Sequence, residues 1–327
     1  MRGGGALVEL DEVRHSGAWR AWGALAAERP PFLSPEVFAA MQPLVPGRPY
    51  VAEAWSDGDL IGALPLTLSG RTLFGLWSMY SPGYDYCGSD LGLELIWKCL
   101  HRSRCWNRIQ CTGVPEGSML ATRFLELARA DDQVVVRHAA GRHPYVPLDH
   151  VTATVGAAVR GDLERMTRIA RELELERIAV PTTADLDDAL RIQGGLDPRA
   201  GHFYQVLGRV LGRRGAASLY FLRVGGERVA ALFALEDHRT LFVLALASRD
   251  EYAQNNPGDL LLWHAGLEAR RRGLRELEID VPDERRPPWI AGSHPTVTIT
   301  IYRPTMRGLA LYAMNEWFPP ALFAPLW

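Results

Sequence analysis

The clearest pattern in the chain is an apolar run, a short polar loop and a second apolar segment with helical spacing. Residues 241–247 (LFVLALA) have the length and composition of a buried strand, and residues 260–267 predict a helix. Asn256 is a favoured N-cap residue, and Pro257 suits the first helical position, where a missing N–H group costs nothing. Gly258 adds no side chain, so the backbone is open to close approach. The pattern predicts either an anion site at a helix N-terminus or an ordinary strand-to-helix turn.

Apolar periodicity predicts the other elements of the chain. Helices are predicted over residues 16–28, from Ser34 onward, over 156–177, over 186–193 with Thr183 as cap, and over 201–213. Strands are predicted over residues 50–55, 60–68, 72–79 and 296–302.

One passage of the sequence occurs twice. The turn at Gly58 and the turn at Gly226 lie 168 positions apart, and Arg-Thr-Leu-Phe occurs at residues 71–74 and again at 239–242. Matching helix and strand segments follow in both halves at spacings of 166 to 168. We therefore predict an α/β (α+β) fold of two similar domains, residues 1–150 and 151–327, each a mixed, mostly antiparallel sheet flanked by helices. A single undivided sheet would contradict this prediction.

Composition excludes several classes of protein. The 327 residues are 47% hydrophobic and 23% charged with a net charge of −2, which gives no bias towards DNA or anionic membranes. Lys98 is the single lysine, so no Walker loop is present. The four cysteines form no CxxC pair, and we expect no metal site. With no apolar signal core and no apolar run of about 18 residues, we expect a cytoplasmic protein without a membrane span.

The order of these elements resembles the double-domain branch of the acetyltransferase-like (GNAT) superfamily. That branch includes Fem-type peptidyltransferases and BioF2-like acyltransferases. The residues that carry the resemblance are Pro31-Phe-Leu-Ser-Pro-Glu36, the loop and helix start Asn256-Pro-Gly-Asp-Leu-Leu-Leu262, and the acidic strand end Glu278-Ile-Asp280.

The resemblance implies a binding site for an acyl donor in the second half. In GNAT enzymes the acyl thioester lies between two splayed strands, and the pyrophosphate rests on a helix N-terminus. The implied donor-binding residues are Ala247, Ser248, Tyr252, Asn256, Gly258 and Asp259. Asp259 favours the helix dipole but repels phosphate, so we expect its side chain to point away from the donor.

Acyl transfer also needs a group that accepts a proton and groups that stabilise an oxyanion. The loop after the third predicted strand supplies Tyr84, Asp85 and Tyr86, with Asp85 as a base and the tyrosines as proton donors. Asp280 is a second candidate carboxylate, and Arg286 a candidate for stabilising an anion. A turn cluster with core tyrosines is the alternative interpretation of the first loop.

Three functions remain open. The first is an N-acyltransferase that moves an acyl group from acyl-CoA or an acyl carrier protein to a small-molecule amine, without a permanently bound cofactor. The second is a Fem-type transferase that uses aminoacyl-tRNA to form a peptide bond. The third is a non-catalytic GNAT tandem in an assembly machinery.

Overall fold

The computed structural model describes residues 3–27, 29–76, 83–149, 161, 164, 173–194, 198–279 and 292–317. Its strands are β1 (Gly3–Glu9), β2 (Arg48–Ser56), β3 (Asp59–Ser69), β4 (Thr72–Gly75), β5 (Cys87–Gly88), β6 (Arg108–Pro115), β7 (Val134–Pro147), β8 (Leu173–Ile178), β9 (Ala217–Val224), β10 (Glu227–Glu236), β11 (Thr240–Ser248), β12 (Glu276–Ile279) and β13 (Gly292–Tyr302). Its α-helices are α1 (Leu10–Arg14), α2 (Gly17–Leu25), α3 (Pro35–Met41), α4 (Asp90–Arg102), α5 (Leu125–Ala130), α6 (Thr183–Gln193), α7 (Pro198–Gly212), α8 (Pro257–Arg271) and α9 (Met306–Trp317).

The described strands form one mixed sheet. Its order is β1-β2-β3-β4-β6-β13-β7-β12-β11-β10-β9-β8, and the short β5 pairs with β3. Each side of the β13–β7 pair contains a hairpin, a third antiparallel strand and a parallel strand reached through a helix. The repeat predicted from the sequence is therefore confirmed as a repeat of structure.

The two halves also share their strand register at the spacing of 168 residues. Thr72 pairs with Arg108 in the parallel β4–β6 ladder, and Thr240 pairs with Glu276 in the parallel β11–β12 ladder. The hairpins repeat an irregularity as well. The β2–β3 register shifts between Ala54 and Trp55, and the β9–β10 register shifts at the corresponding place, between Arg228 and Ala230. Agreement at this level follows from equivalent folds rather than from similar composition.

The halves exchange strands at the centre of the sheet. β7 comes from the first half of the sequence, but it pairs with β12; β13 comes from the end of the chain, but it pairs with β6. β7 and β13 also pair with each other from Val134 to Tyr145. The expectation of two separate sheets was wrong, because this exchange joins them. The division at residue 150 stays a prediction, since strands from both sides of it share the middle of the sheet.

Two local predictions need correction. Residues 173–178 form β8 at the sheet edge, not the end of a helix, because the alternation of Leu173 and Leu175 with glutamates suits a strand that is apolar on one face. The cap of α6 is Thr182 rather than Thr183: its hydroxyl accepts the N–H of Asp185, whose carboxylate accepts the N–H of Thr182.

Helices cover both faces of the second half of the sheet. Leu261, Ala265 and Ala269 of α8 are fully buried against one face with Leu232 and Val243. The helices α6 and α7 cover the other face. Arg228 of β10 joins α6 to the sheet through ion pairs to Asp185 (3.0 Å) and Asp188 (2.8 Å), and stacks on Phe221. Among the described helices, none combines the length and apolar character that crossing a bilayer requires.

Candidate functional site

In the second half, two parallel strands are paired over only four described residues. β11 and β12 pair only from Thr240 to Val243 on the β11 side. β11 then continues to Ser248, and along that stretch it remains paired with β10. The backbone of residues 244–248 thus runs on beyond the last described pair with β12. This is the place where the family resemblance puts an acyl thioester.

A cleft of about 1060 Å³ opens at this end of β11. Three segments line it: the end of β11, the turn that leads into α8 together with the first turn of α8, and the end of α6. The lining residues are Arg191, Ile192, Gln193, Gly194, Leu246, Ala247, Ser248, Arg249, Asp250, Glu251, Ala253, Asn256, Gly258 and Asp259. Five of the six donor-binding residues expected from the resemblance therefore meet around one cleft.

The start of α8 borders the cleft without a side-chain cap. Asn256 adopts a left-handed conformation with φ of +47°, and its side chain makes no capping hydrogen bond. Its carbonyl oxygen accepts the N–H groups of Asp259 (3.1 Å) and Leu260 (3.3 Å). A Cβ on Gly258 would lie 3.5 Å from Leu246, an ordinary contact, so the fold itself does not require glycine here. The glycine keeps free the space in front of the backbone.

The cleft carries charges of both signs. Arg191 and Arg249 are cationic, and Arg249 forms ion pairs with Glu227 (3.3 Å) and Glu251 (3.5 Å). Burial raises the pKa of Asp259 above its usual value. Asp259 lines the cleft, and the expectation that its side chain points away from a donor stays a prediction. The raised pKa makes the carboxyl easier to protonate, which raises the pH at which it becomes charged and repels a phosphate.

One expected residue lies elsewhere, and one lining segment was missed. Tyr252 packs beside the second-half core, and its N–H donates to the carbonyl of Arg249. It does not line the cleft. Residues 191–194 at the end of α6 were not expected, because about fifty residues separate them from β11. The capping box at Thr182 marks where α6 begins, but the sequence does not indicate that the C-terminal end of α6 lies at the cleft.

The first-half loop that was expected to supply catalytic tyrosines is packed into the core. Tyr84 is fully buried and Tyr86 is nearly so. The Tyr84 hydroxyl donates to the carbonyl of Pro65 (2.5 Å), and the Tyr86 hydroxyl donates to the carbonyl of Ser89 (2.9 Å). Burial also raises the pKa of both hydroxyls. The structure thus gives both side chains packing roles, and neither lines the cleft.

Asp85 lies between these tyrosines and is largely buried. Burial raises its pKa to about 6, although hydrogen bonds from the backbone of Tyr86, the hydroxyl of Ser118 and the backbone of Leu120 lower it. Its Oδ1 is buried without a hydrogen-bond partner among the described residues. Asp280 and Arg286 lie outside the described residues.

A second cavity, of about 600 Å³, lies between the two halves. Its lining includes Gly83 from the first-half loop, Phe242 from β11, and Glu116, Glu278 and His294. His294 stacks on Tyr145 and lies 3.7 Å from Glu278. One carboxylate oxygen each of Glu276 and Glu278 and one ring nitrogen of His294 lie within 4.8 Å of one another, close enough to hold a metal ion. The cavity is thus bordered by carboxylates, and it touches both the first-half loop and β11.

Comparison with known proteins agrees with the fold described above. Residues 149–285 match the family model described as an acetyltransferase (GNAT) domain. Among solved structures, the C-terminal domain of a candidate lysylphosphatidylglycerol synthetase from Agrobacterium fabrum is similar with a TM-score of 0.60 and 11% identity, over 90% of this chain and 95% of that chain. FemX is similar with a TM-score of 0.59 and 11% identity, over 91% of this chain and 98% of that chain. L-PGS from Bacillus licheniformis is similar with a TM-score of 0.53 and 12% identity, over 86% of this chain and 94% of that chain. A search of curated proteins found no match.

Residues 149–285 thus match a GNAT domain, and the chain as a whole shares its fold with FemX and with the lysylphosphatidylglycerol synthetase domain. At 11–12% identity, the similarity to the solved structures shows the fold alone.

Proposed function

We propose that the chain is an N-acyltransferase that binds an acyl thioester in the second-half cleft and transfers the acyl group to a small amine. One observation carries the proposal. The cleft opens beside the part of β11 that extends beyond its last described pair with β12, next to the helix start at Gly258, and the family model covers this same half. In this arrangement the backbone of residues 244–248 holds the acyl group, and the first turn of α8 and Arg191 face the phosphates.

The amine attacks the thioester carbonyl directly. The new C–N bond forms as the C–S bond breaks, the amine proton passes to a base, and the thiol leaves. Asp85 and Asp280 are the proposed candidates for the base, and Arg286 is the proposed candidate for stabilising the oxyanion. We place the acceptor in the second cavity because its carboxylates attract an ammonium group and because it reaches both Gly83 and β11.

Transfer from aminoacyl-tRNA is the second candidate. The similarity of fold to FemX across almost the whole of both chains favours it, because the family resemblance implies aminoacyl-tRNA donors for the Fem-type branch. The charge of −2 and the acidic residues in the cleft weaken it, because binding of tRNA depends on neutralising phosphates. The non-catalytic tandem is a third candidate, and it predicts no binding of either donor.

Donor binding separates these candidates. Acetyl-CoA, a charged tRNA and an uncharged tRNA are each titrated into the protein by calorimetry at two salt concentrations. The proposal predicts binding of acetyl-CoA with weak salt dependence. Binding of charged tRNA alone, with affinity falling steeply with salt, would establish the second candidate instead. Binding of neither at millimolar concentration would contradict both.

A further inference from the structure

The two halves fill equivalent space differently. In the second half, the end of β11 and the start of α8 border an open cleft. In the first half, the end of β4 and the start of α4 are in contact with the side chains of Tyr84 and Tyr86. Matching the halves by their common register shows what each tyrosine replaces.

Tyr84 closes the gap beside β4. Its N–H donates to the carbonyl of Gly113 on β6 (3.0 Å), and its hydroxyl reaches Pro65 on β3. The ring packs so tightly on Gly75 that a Cβ there would lie 2.7 Å from a ring carbon. The residue 168 positions after Gly75 is Val243, which carries a side chain at this point. Only in the first half is the strand shaped to accept an aromatic ring.

Tyr86 covers the start of α4. A Cβ on Gly62, Gly88 or Gly92 would lie 2.2–2.4 Å from the Tyr86 hydroxyl oxygen, so three glycines surround one hydroxyl. Gly92 lies 166 positions before Gly258, the spacing that relates the two helices. The Tyr86 hydroxyl therefore lies at the helix turn that corresponds to the open turn of α8.

One N–H group in the first turn of α4 is also bonded to a side chain of the chain itself. The hydroxyl of Ser89 caps the helix by accepting the N–H of Gly92 (3.2 Å). The corresponding cap residue of α8, Asn256, makes no such bond with its side chain. The N–H of Gly92 is therefore already bonded within the chain and is not available to a phosphate.

We propose that Tyr84 and Tyr86 occupy the first half's counterpart of the acyl-donor site, so that each chain binds one acyl donor, in the second half only. This inference rests on the proposed function and assigns its donor to one of two similar units. Tyr84 takes the space between the splayed strands, and Tyr86 takes the space at the helix N-terminus. The first half then contributes surface to the second cavity rather than a second donor site.

Stoichiometry tests the assignment. Native mass spectrometry of the full chain with acetyl-CoA should show one bound molecule per chain, and Gly258→Trp should reduce occupancy to zero. Two molecules per chain, or one molecule retained by Gly258→Trp, would overturn the inference. If the wild-type protein binds no acetyl-CoA, the proposed function fails, and a test that needs no acyl donor decides the inference.

That second test measures whether the Tyr86 ring fills an enclosed space. Tyr86→Ala should lower the Tm by about 5 °C or more, and added phenol should restore part of the loss. Tyr50→Ala is the control, because the Tyr50 hydroxyl bonds an exposed carboxylate, and phenol should not restore its Tm. A Tm of Tyr86→Ala that is unchanged and insensitive to phenol would overturn the inference. If Tyr86→Ala does not fold, nitration of the wild-type protein decides: Tyr84 and Tyr86 should react only after unfolding, and their reaction in the native protein would overturn it.

Discussion

Replacing Asp85 with asparagine should change how stability depends on pH. Burial raises the pKa of Asp85 from 3.8 to about 6. The unfolded chain thus releases this proton at lower pH than the folded chain does. Between about pH 4 and pH 6 the unfolded state binds fewer protons, so the free energy of unfolding falls as pH rises. Above pH 6 the free energy of unfolding stays lower by the full amount. The difference between the two pKa values corresponds to a loss of about 3 kcal/mol in the free energy of unfolding.

Asparagine cannot ionise, so Asp85→Asn should not show this loss. Its amide oxygen can still accept the N–H groups of Tyr86 and Leu120. We expect the variant to be more stable than the wild type by up to about 3 kcal/mol at pH 7.5, and to lie within about 1 kcal/mol of it at pH 4. Urea unfolding from pH 4 to pH 8 measures both values.

Asp90→Asn is the matched control, because Asp90 is mostly exposed and pairs with Arg123 at 3.2 Å. It should show no comparable gain at pH 7.5. Equal pH dependence in the wild type and Asp85→Asn would refute the reasoning. The same variant tests the proposed base: if Asp85 accepts the amine proton, turnover is lost although stability rises, and full activity would remove Asp85 from the mechanism.

Two further variants test the cleft, and a third tests the attachment of α6 to the sheet. Gly258→Ala should fold normally, because its Cβ meets Leu246 at 3.5 Å, but it should weaken acetyl-CoA binding about tenfold in calorimetry; Gly201→Ala, with the same 3.5 Å contact to Leu190, should not. Asp259→Asn should strengthen acetyl-CoA binding most at high pH, since wild-type affinity should fall as pH rises through the raised pKa of Asp259; an unchanged affinity at pH 8 would contradict this. Arg228→Leu should cost about 2–4 kcal/mol in urea unfolding, because Asp185 and Asp188 of α6 lose their ion pairs to the sheet; the more exposed Arg223→Leu should cost under about 1 kcal/mol.

Much of the fold could be predicted because the same pattern of elements occurs twice in the sequence. The turns at Gly58 and Gly226, and the repeated Arg-Thr-Leu-Phe, identify equivalent strands, and the structure pairs them in the same register. The exchange of β7 and β13 could not be predicted, since either strand has the alternation to pair in either half. The strand at 173–178 was hidden because its few residues also continue the helical spacing before it.

The site could be predicted only where its residues are close in sequence. Ala247, Ser248, Asn256, Gly258 and Asp259 line one cleft because a strand end and a helix start are joined by a short loop. The role of Tyr84 and Tyr86 was not visible, because a loop rich in hydroxyl groups looks the same whether it binds a substrate or fills a core. The deciding feature is the set of glycines against which the rings pack, which lie up to 24 positions away in sequence.

The central claim is that the acyl donor binds in the second half. Hydrogen–deuterium exchange of the full chain, with and without saturating acetyl-CoA, tests it most directly. The account predicts slower exchange in peptides that cover residues 244–260, and unchanged exchange in peptides that cover residues 83–95. Protection of residues 83–95 with no change at 244–260 would contradict it.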